Sequence, residues 1–155
     1  FSGIVIGCLP AASPVISLSL RRGAPAPLDL PDFDGPTLSD GSAGGVDPDS
    51  LTYPLCRRLV DAWRDDVSEE QIAGALRLAF RLDAQRVEGA AGVALAALLA
   101  DSPAGRSASQ VPTFAADPAT GQGAALAPGM RVAVILCGGN ISDEVFRGIV
   151  GPSEM

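Results

Sequence analysis

The sequence predicts an α/β protein built on an open, mostly parallel sheet with helices on both faces. Three observations carry this expectation. The apolar run at residues 3–8 and the segment 131–136, apolar after its leading Arg131, have the length and composition of buried strands. Between them, apolar residues recur every three to four positions, as on helix faces. Strand-like and helix-like segments also alternate along the chain, the order that layers helices on a parallel sheet. At 155 residues the chain has single-domain length, and residues 1–150 are expected to form one unit.

The elements follow in order. Residues 3–8 read as a short apolar strand. Ser13 then reads as a helix cap with Pro14 at the first helical position, and that helix should end near Gly23. Residues 24–36 hold four prolines and form an extended surface connection. Thr37 to Gly45 is polar and glycine-rich. From Leu51, a spacing of four through Leu55, Leu59 and Trp63 marks one helix face. Ser68 followed three residues later by Gln71 is a capping-box pattern, opening a helix with Ile72, Leu76, Ala79 and Phe80 on one side. Residues 89–100 are nearly uniformly apolar and suit a buried helix. Residues 102–129, rich in Ser, Ala, Gly, Pro and Thr, read as a long disordered insertion. Residues 131–136 return to a buried strand and run into Cys137-Gly138-Gly139-Asn140. Ser142 caps a last helix whose first turn holds Asp143 and Glu144, where negative charge complements the helix dipole.

Composition excludes several functions. With 11 basic against 18 acidic residues the net charge is −7, and no basic cluster is present to track a phosphate backbone, so no nucleic-acid partner is expected. All the basic residues are arginine; there is no lysine and no histidine. The commonest general base, the commonest metal ligand and any amine able to condense with a carbonyl cofactor are therefore missing from this polypeptide. The three cysteines, Cys8, Cys56 and Cys137, are odd in number and widely spaced, neither a disulfide framework nor a zinc pattern; a cytoplasmic location fits best. The apolar run 89–100 is too short to span a bilayer, which takes roughly 20 residues, and no membrane partner is expected. Residues 1–20 lack the basic start of a signal peptide and are interrupted by Pro10 and Pro14. A start at Phe1, directly ahead of a strand-like run, suggests a segment of something longer.

The best ligand site is the turn after residues 132–136, because open α/β sheets bind ligands at the carboxyl ends of their strands. Gly138 and Gly139 let the backbone approach a ligand closely. Cys137 supplies a small polar atom, Asn140 supplies a donor and an acceptor, and the following helix points free N–H groups back at the turn. By residue type alone a plain tight turn is the favoured reading of Gly138-Gly139-Asn140. It is neither a dinucleotide fingerprint nor a phosphate loop, since the G-x-G-x-x-G spacing and the lysine are absent.

Four motifs in register add to this reading. Val134-Ile135-Leu136-Cys137-Gly138-Gly139-Asn140 resembles the final strand and "SGGN" turn of pyridoxal-phosphate enzymes of the serine/threonine dehydratase type, which have fold type II, the tryptophan synthase β-like fold. Val87-Glu88-Gly89-Ala90-Ala91-Gly92 is similar to their "VE-x-A-G-A" helix start, and Pro36-Thr37-Leu38-Ser39-Asp40-Gly41 to their "T-I-A-D-G" loop. Asp65-Asp66-Val67-Ser68-Glu69-Glu70-Gln71-Ile72 is similar to a "DD…VSEEEI" helix entry. The resemblance covers about residues 1–101 and 130–150 and implies the C-terminal portion of such an enzyme, with the Schiff-base lysine on a separate N-terminal half.

What the resemblance implies can be set residue by residue. Pyridoxal 5'-phosphate would be the cofactor. Cys137 would hydrogen-bond the pyridine nitrogen, Gly138, Gly139 and Asn140 would line the ring edge, and Glu88 would lie close to the ring. Asp40, Gly41 and Gly44 would form the loop on the substrate side; by residue type Asp40 alone reads as a turn-capping residue. No catalytic residue is expected in this chain. Some members bind a divalent cation through "G-x-E-P-x-x-A-x-D" after the first strand. Here Leu9 and Val15 stand at the two carboxylate places, so oxygen ligands are gone and no metal is expected. The implied activity is an ammonia-lyase (dehydratase) acting on L-serine, L-threonine or a related β-hydroxy amino acid and giving a 2-oxo acid and ammonia. Its partners would be the small amino-acid substrate, the N-terminal half and further copies in a homo-oligomer. The alternatives are a non-catalytic truncated fragment, or a racemase or β-replacement enzyme of the same fold.

Overall fold

The computed structural model describes residues 3–26, 35–101 and 129–151. The expected insertion at 102–129 lies, but for Gly129, outside the described residues. Two strands, β1 (Ile6–Pro10) and β2 (Ala62–Val67), form a parallel pair. Ile6 is opposite Ala62, Gly7 opposite Trp63 and Cys8 opposite Arg64, with an irregularity before Pro10 meets Val67. The ladder continues at each end. Asp61 N–H donates to Val5 O at 2.9 Å, the Asp61 carboxylate accepts Val5 N–H at 2.7 Å, and Ala11 N–H donates to Val67 O at 2.8 Å. The indole of Trp63 lies against Gly7, where any Cβ would overlap it.

Around this pair the described residues form five α-helices: α1 (Val15–Arg22), α2 (Thr52–Leu59), α3 (Glu69–Asp83), α4 (Gly89–Asp101) and α5 (Asp143–Val150), with one 3-10 turn at Asp40–Ser42. The mixed α/β class with a parallel sheet is thus as the sequence indicates. The capping box is fully formed: Ser68 Oγ accepts Gln71 N–H at 3.2 Å and Gln71 Oε1 accepts Ser68 N–H at 2.8 Å. Ser142 caps α5 by accepting Val145 N–H at 3.2 Å.

The core is the seam between α3 and α4. Ile72, Ala75 and Leu76 face Ala91, Val93, Ala96 and Ala97, with Val67 and Val87 closing the ends. Gly92 makes the seam tight, because a Cβ there would overlap Leu76 Cδ1. Nothing described on α4 from Gly89 to Ala100 is exposed, as its uniform apolarity requires. α5 packs on α3 through Phe80 and Phe146, edge to face at 5.2 Å between centroids, and Arg77 donates to Ile149 O at 3.2 Å. α1 turns its serines inward and satisfies them. Ser19 Oγ donates to Val15 O and accepts Ala26 N–H, while Ser17 Oγ donates to Pro14 O and the Asp65 carboxylate.

Four expectations are corrected. Ser13 is not the cap of α1: Pro14 occupies that position without a side-chain bond, and the buried Ser13 hydroxyl instead accepts Gly44 N–H at 3.4 Å. Trp63 does not continue the face of α2. The helix ends at Leu59, the backbone turns extended at Val60, and Trp63 lies in β2. The supposed apolar face of that helix is outward, with Leu51, Leu55 and Leu59 all exposed. Residues 131–136 form no strand ladder among the described residues and are not buried: Val132, Ile135 and Leu136 are exposed, Ile135 by 73%. Apolarity suited this segment to a sheet interior, but no neighbouring strand of the described residues accepts it. Among the described residues the sheet holding β1 contains only β2 besides, and residues 131–136 do not join it.

Two predictions follow from this packing. Ala84 ends α3 in the left-handed region at φ 48°, where a Cβ is strained. Ala84→Gly should raise unfolding stability by roughly 0.5–1 kcal/mol in a urea titration. Burial disfavours the Asp65 carboxylate, but the hydrogen bonds from Arg21 and Ser17 and the Arg21 charge outweigh it and hold the carboxyl below its ordinary value. A carboxyl lowered by folding stabilises the fold above its unfolded pKa near 3.8 and loses that contribution as pH falls through the lower folded value. Acid titration should therefore show stability declining below about pH 4, and Asp65→Asn should flatten that limb.

Candidate functional site

The site is assembled where the entry to α4 meets the turn before α5. Residues 86–88 run alongside residues 138–141 and are tied to them at several points. Glu88 N–H donates to Gly138 O at 3.1 Å, and Glu88 Oε2 accepts Asn140 N–H at 2.8 Å. Arg86 donates to Ile141 O at 2.8 Å, pairs with Asp143 at 2.6 Å and lies over the Phe146 ring at 4.9 Å. Within the turn, Ile141 N–H donates to Gly139 O at 3.0 Å. Arg86 and Glu88 thus hold the two ends of one tight turn from a single extended segment.

The turn must be glycine. A Cβ on Gly138 would collide with the Glu88 carboxylate, and one on Gly139 would come within 2.9 Å of the Arg86 carbonyl oxygen. The hydrogen bond from Arg86, then the charges of Arg86 and Arg147, hold the Asp143 carboxyl below its ordinary range. Asp143 sits in the first turn of α5, where negative charge faces the positive end of the helix dipole.

The loop at residues 37–44 reaches the same place from the other side. Gly41 lies beside Ala90 and Glu88: a Cβ there would be 3.6 Å from Ala90 Cβ and 3.7 Å from Glu88 Oε1. The Asp40 carboxylate accepts the N–H of the next residue, Gly41, at 2.8 Å. Gly44 adopts φ 105° and its N–H donates to Ser13 Oγ. Cys137 is exposed at the start of the turn, not at the end of a buried strand. Of the residues singled out in the sequence, the structure therefore brings Glu88, Gly138, Asn140 and Gly41 together. Gly139 lies against Arg86, and the side chain of Asp40 stays within its own loop. Sequence reasoning missed Arg86 and Asp143 as the second tie of the turn; no spacing rule links residues 57 apart.

None of Cys8, Cys56 and Cys137 is in a disulfide. Leu9 and Val15 are buried. Among the described residues no group of three or more His, Cys, Asp or Glu side chains comes together to hold a metal ion. No helix among them is long and apolar enough to cross a membrane.

Gly138→Ala should push the Glu88 carboxylate aside and break its bond to Asn140. Overpacking of this kind costs about 1–3 kcal/mol. The measurement is amide exchange at Asn140, which should accelerate in the variant while the α3–α4 core keeps its protection.

Neither protein-family models nor curated protein sequences match the chain. Solved structures do. A T.th. threonine deaminase is 33% identical over 62% of this chain and 32% of its own, with a TM-score of 0.53. The serine racemase of Dictyostelium discoideum is 21% identical, covering 90% of this chain and 36% of its own, with a TM-score of 0.59. A pyridoxal 5'-phosphate-dependent aspartate racemase is 21% identical, covering 91% and 36%, with a TM-score of 0.51. At that identity the two racemases speak for the fold alone. The chain spans about a third of the length of these structures. Its described residues share the fold of these solved structures, a threonine deaminase and two racemases.

Proposed function

We propose that this chain forms part of a pyridoxal-phosphate-dependent ammonia-lyase that converts L-serine, L-threonine or a related β-hydroxy amino acid to a 2-oxo acid and ammonia. The observation that carries the reading is the turn Cys137–Asn140, locked by Glu88 into a shape with no side chain at its centre. Likeness to a threonine deaminase in sequence as well as fold supports it.

The residues present suit one edge of the cofactor. Where Gly138 and Gly139 would carry a Cβ, the Glu88 carboxylate and the Arg86 carbonyl oxygen already stand; the side-chain-free backbone of the turn would offer a flat edge to a ring. The exposed Cys137 thiol would offer a hydrogen-bonding atom at the start of that turn. When bound, the cofactor supplies an electron-withdrawing ring that stabilises negative charge developed on the substrate. Cys137 would hydrogen-bond the ring nitrogen without fixing a proton there, as a carboxylate would, and so would favour loss of the β-hydroxyl over prolonged delocalisation. Glu88 would act from behind the turn, keeping Gly138 and Asn140 in register with the ring edge. The 37–44 loop would face the substrate side. Attachment of the cofactor calls for a lysine that this chain does not contain; an N-terminal half of the same enzyme would supply it, in a homo-oligomer. Racemisation on the same scaffold is the second reading, supported by likeness in fold to serine and aspartate racemases.

The experiment is oxo-acid release and D-amino-acid formation from L-serine and L-threonine by the chain completed with that half. Oxo acid as the main product supports the lyase; D-amino acid as the main product supports the racemase; neither, with cofactor bound, leaves a non-catalytic remnant. In the completed enzyme, Cys137→Ser should retain most activity, since a hydroxyl also hydrogen-bonds the ring nitrogen. Cys137→Ala should weaken cofactor binding and turnover together, by about tenfold for one lost bond. A strong chelator should leave activity unchanged, because Leu9 and Val15 are apolar and buried; a Mg²⁺-reversible loss would overturn the placement of residues 7–15.

A further inference from the structure

Glu69 stands in the first turn of α3, where an acidic side chain ordinarily serves its own helix. Here the helix start is already satisfied by the reciprocal bonds of Ser68 and Gln71. The Glu69 carboxylate instead leaves the helix and reaches a distant loop. Oε1 accepts the Thr37 hydroxyl and Oε2 accepts Leu38 N–H, both at 2.7 Å and partly buried. Thr37 Oγ1 in turn accepts Ser39 N–H at 3.0 Å. Its neighbour Glu70 is exposed.

The tether continues into the site. The Leu38 carbonyl presses on Gly89, the first residue of α4, with no room for a Cβ between them. Three residues on, Gly41 lies beside Glu88 and Ala90, and Glu88 holds Asn140. Two charge-assisted hydrogen bonds from one carboxylate therefore set how the 37–41 segment lies against the turn.

We infer that Glu69 is a positioning residue: by fixing Thr37 and Leu38 it holds the Asp40–Gly41 segment against Glu88 and so sets substrate affinity without touching the reacting atoms. This rests on the reading given under Proposed function, in which that loop faces the substrate.

The test combines kinetics of the completed enzyme with amide exchange of the 155-residue chain, for Glu69→Ala, Glu69→Gln and Thr37→Val. Glu69→Ala should raise KM for the β-hydroxy amino acid about tenfold and change kcat less than about threefold. Glu69→Gln should restore KM, because its amide oxygen can accept Leu38 N–H while its NH₂ donates to Thr37 Oγ1. Thr37→Val, which loses one of the two bonds, should fall between. In the chain, exchange across residues 37–41 should accelerate in Glu69→Ala and not in Glu69→Gln, with residues 72–80 unchanged. Unaltered KM, a fall confined to kcat, or unaltered loop exchange would overturn the inference. So would equal loss of protection in loop and core, which would make Glu69 a general stabiliser. A wild-type enzyme inactive on hydroxy amino acids would defeat the functional reading instead, and exchange in the same variants would still decide whether Glu69 holds the loop.

Discussion

Helix α4 can lie where it does only because its first turns carry almost no side chain on two sides. At Gly89 the Leu38 backbone occupies the space of a Cβ, and at Gly92 the buried Leu76 does so. One helix start thus touches the glycine-rich loop on one flank and the α3 core on the other. Glu88, one residue earlier, then has a fixed origin from which its carboxylate meets Asn140. Because α3 also carries Glu69, the seam between α3 and α4 governs both the loop and the turn. Steric exclusion at two positions, and not a strong polar bond, sets the geometry from which the polar bonds follow.

This explains which parts of the fold were legible in the sequence. Local signals with a mechanism held: the Ser68–Gln71 box, the Ser142 cap and the apolar run of α4 each need only neighbours in sequence. Signals that rely on tertiary partners did not. Ala62–Val67 contains Arg64, Asp65 and Asp66, too polar for a strand by pattern. Yet Arg64 is buried there, its guanidinium held by Asp66 at 2.8 Å, while Asp65 is taken up by α1. The run 131–136 has the opposite character, with a strand's composition and no strand beside it among the described residues.

The candidate site was half legible. Its glycines and Glu88 stand in motifs, and their close approach in space agrees with the motif order. Arg86 carries no comparable signal, because an arginine that binds a carbonyl oxygen and stacks on Phe146 looks like any surface cation in a sequence. Ser13 shows the reverse error: a residue that suits a cap by type was drawn instead to Gly44, whose left-handed backbone presents its N–H there. Competition between local and distant partners for the same hydroxyl is decided by burial, which one-dimensional spacing does not carry.

The exposed residues Val132, Ile135 and Leu136 bear on how the chain behaves as a solute. An apolar segment with no neighbouring strand among the described residues invites edge-to-edge association with other chains. What opposes this is long-range repulsion from a net charge of −7, which extends only about 8–10 Å at physiological salt. Titration towards the isoelectric point near 4.4 removes the repulsion while the apolar segment remains. Colloidal stability of this molecule therefore depends on ionic strength and acidity more steeply than its folded core does, and a mildly alkaline, low-salt solution is the medium in which it stays dispersed.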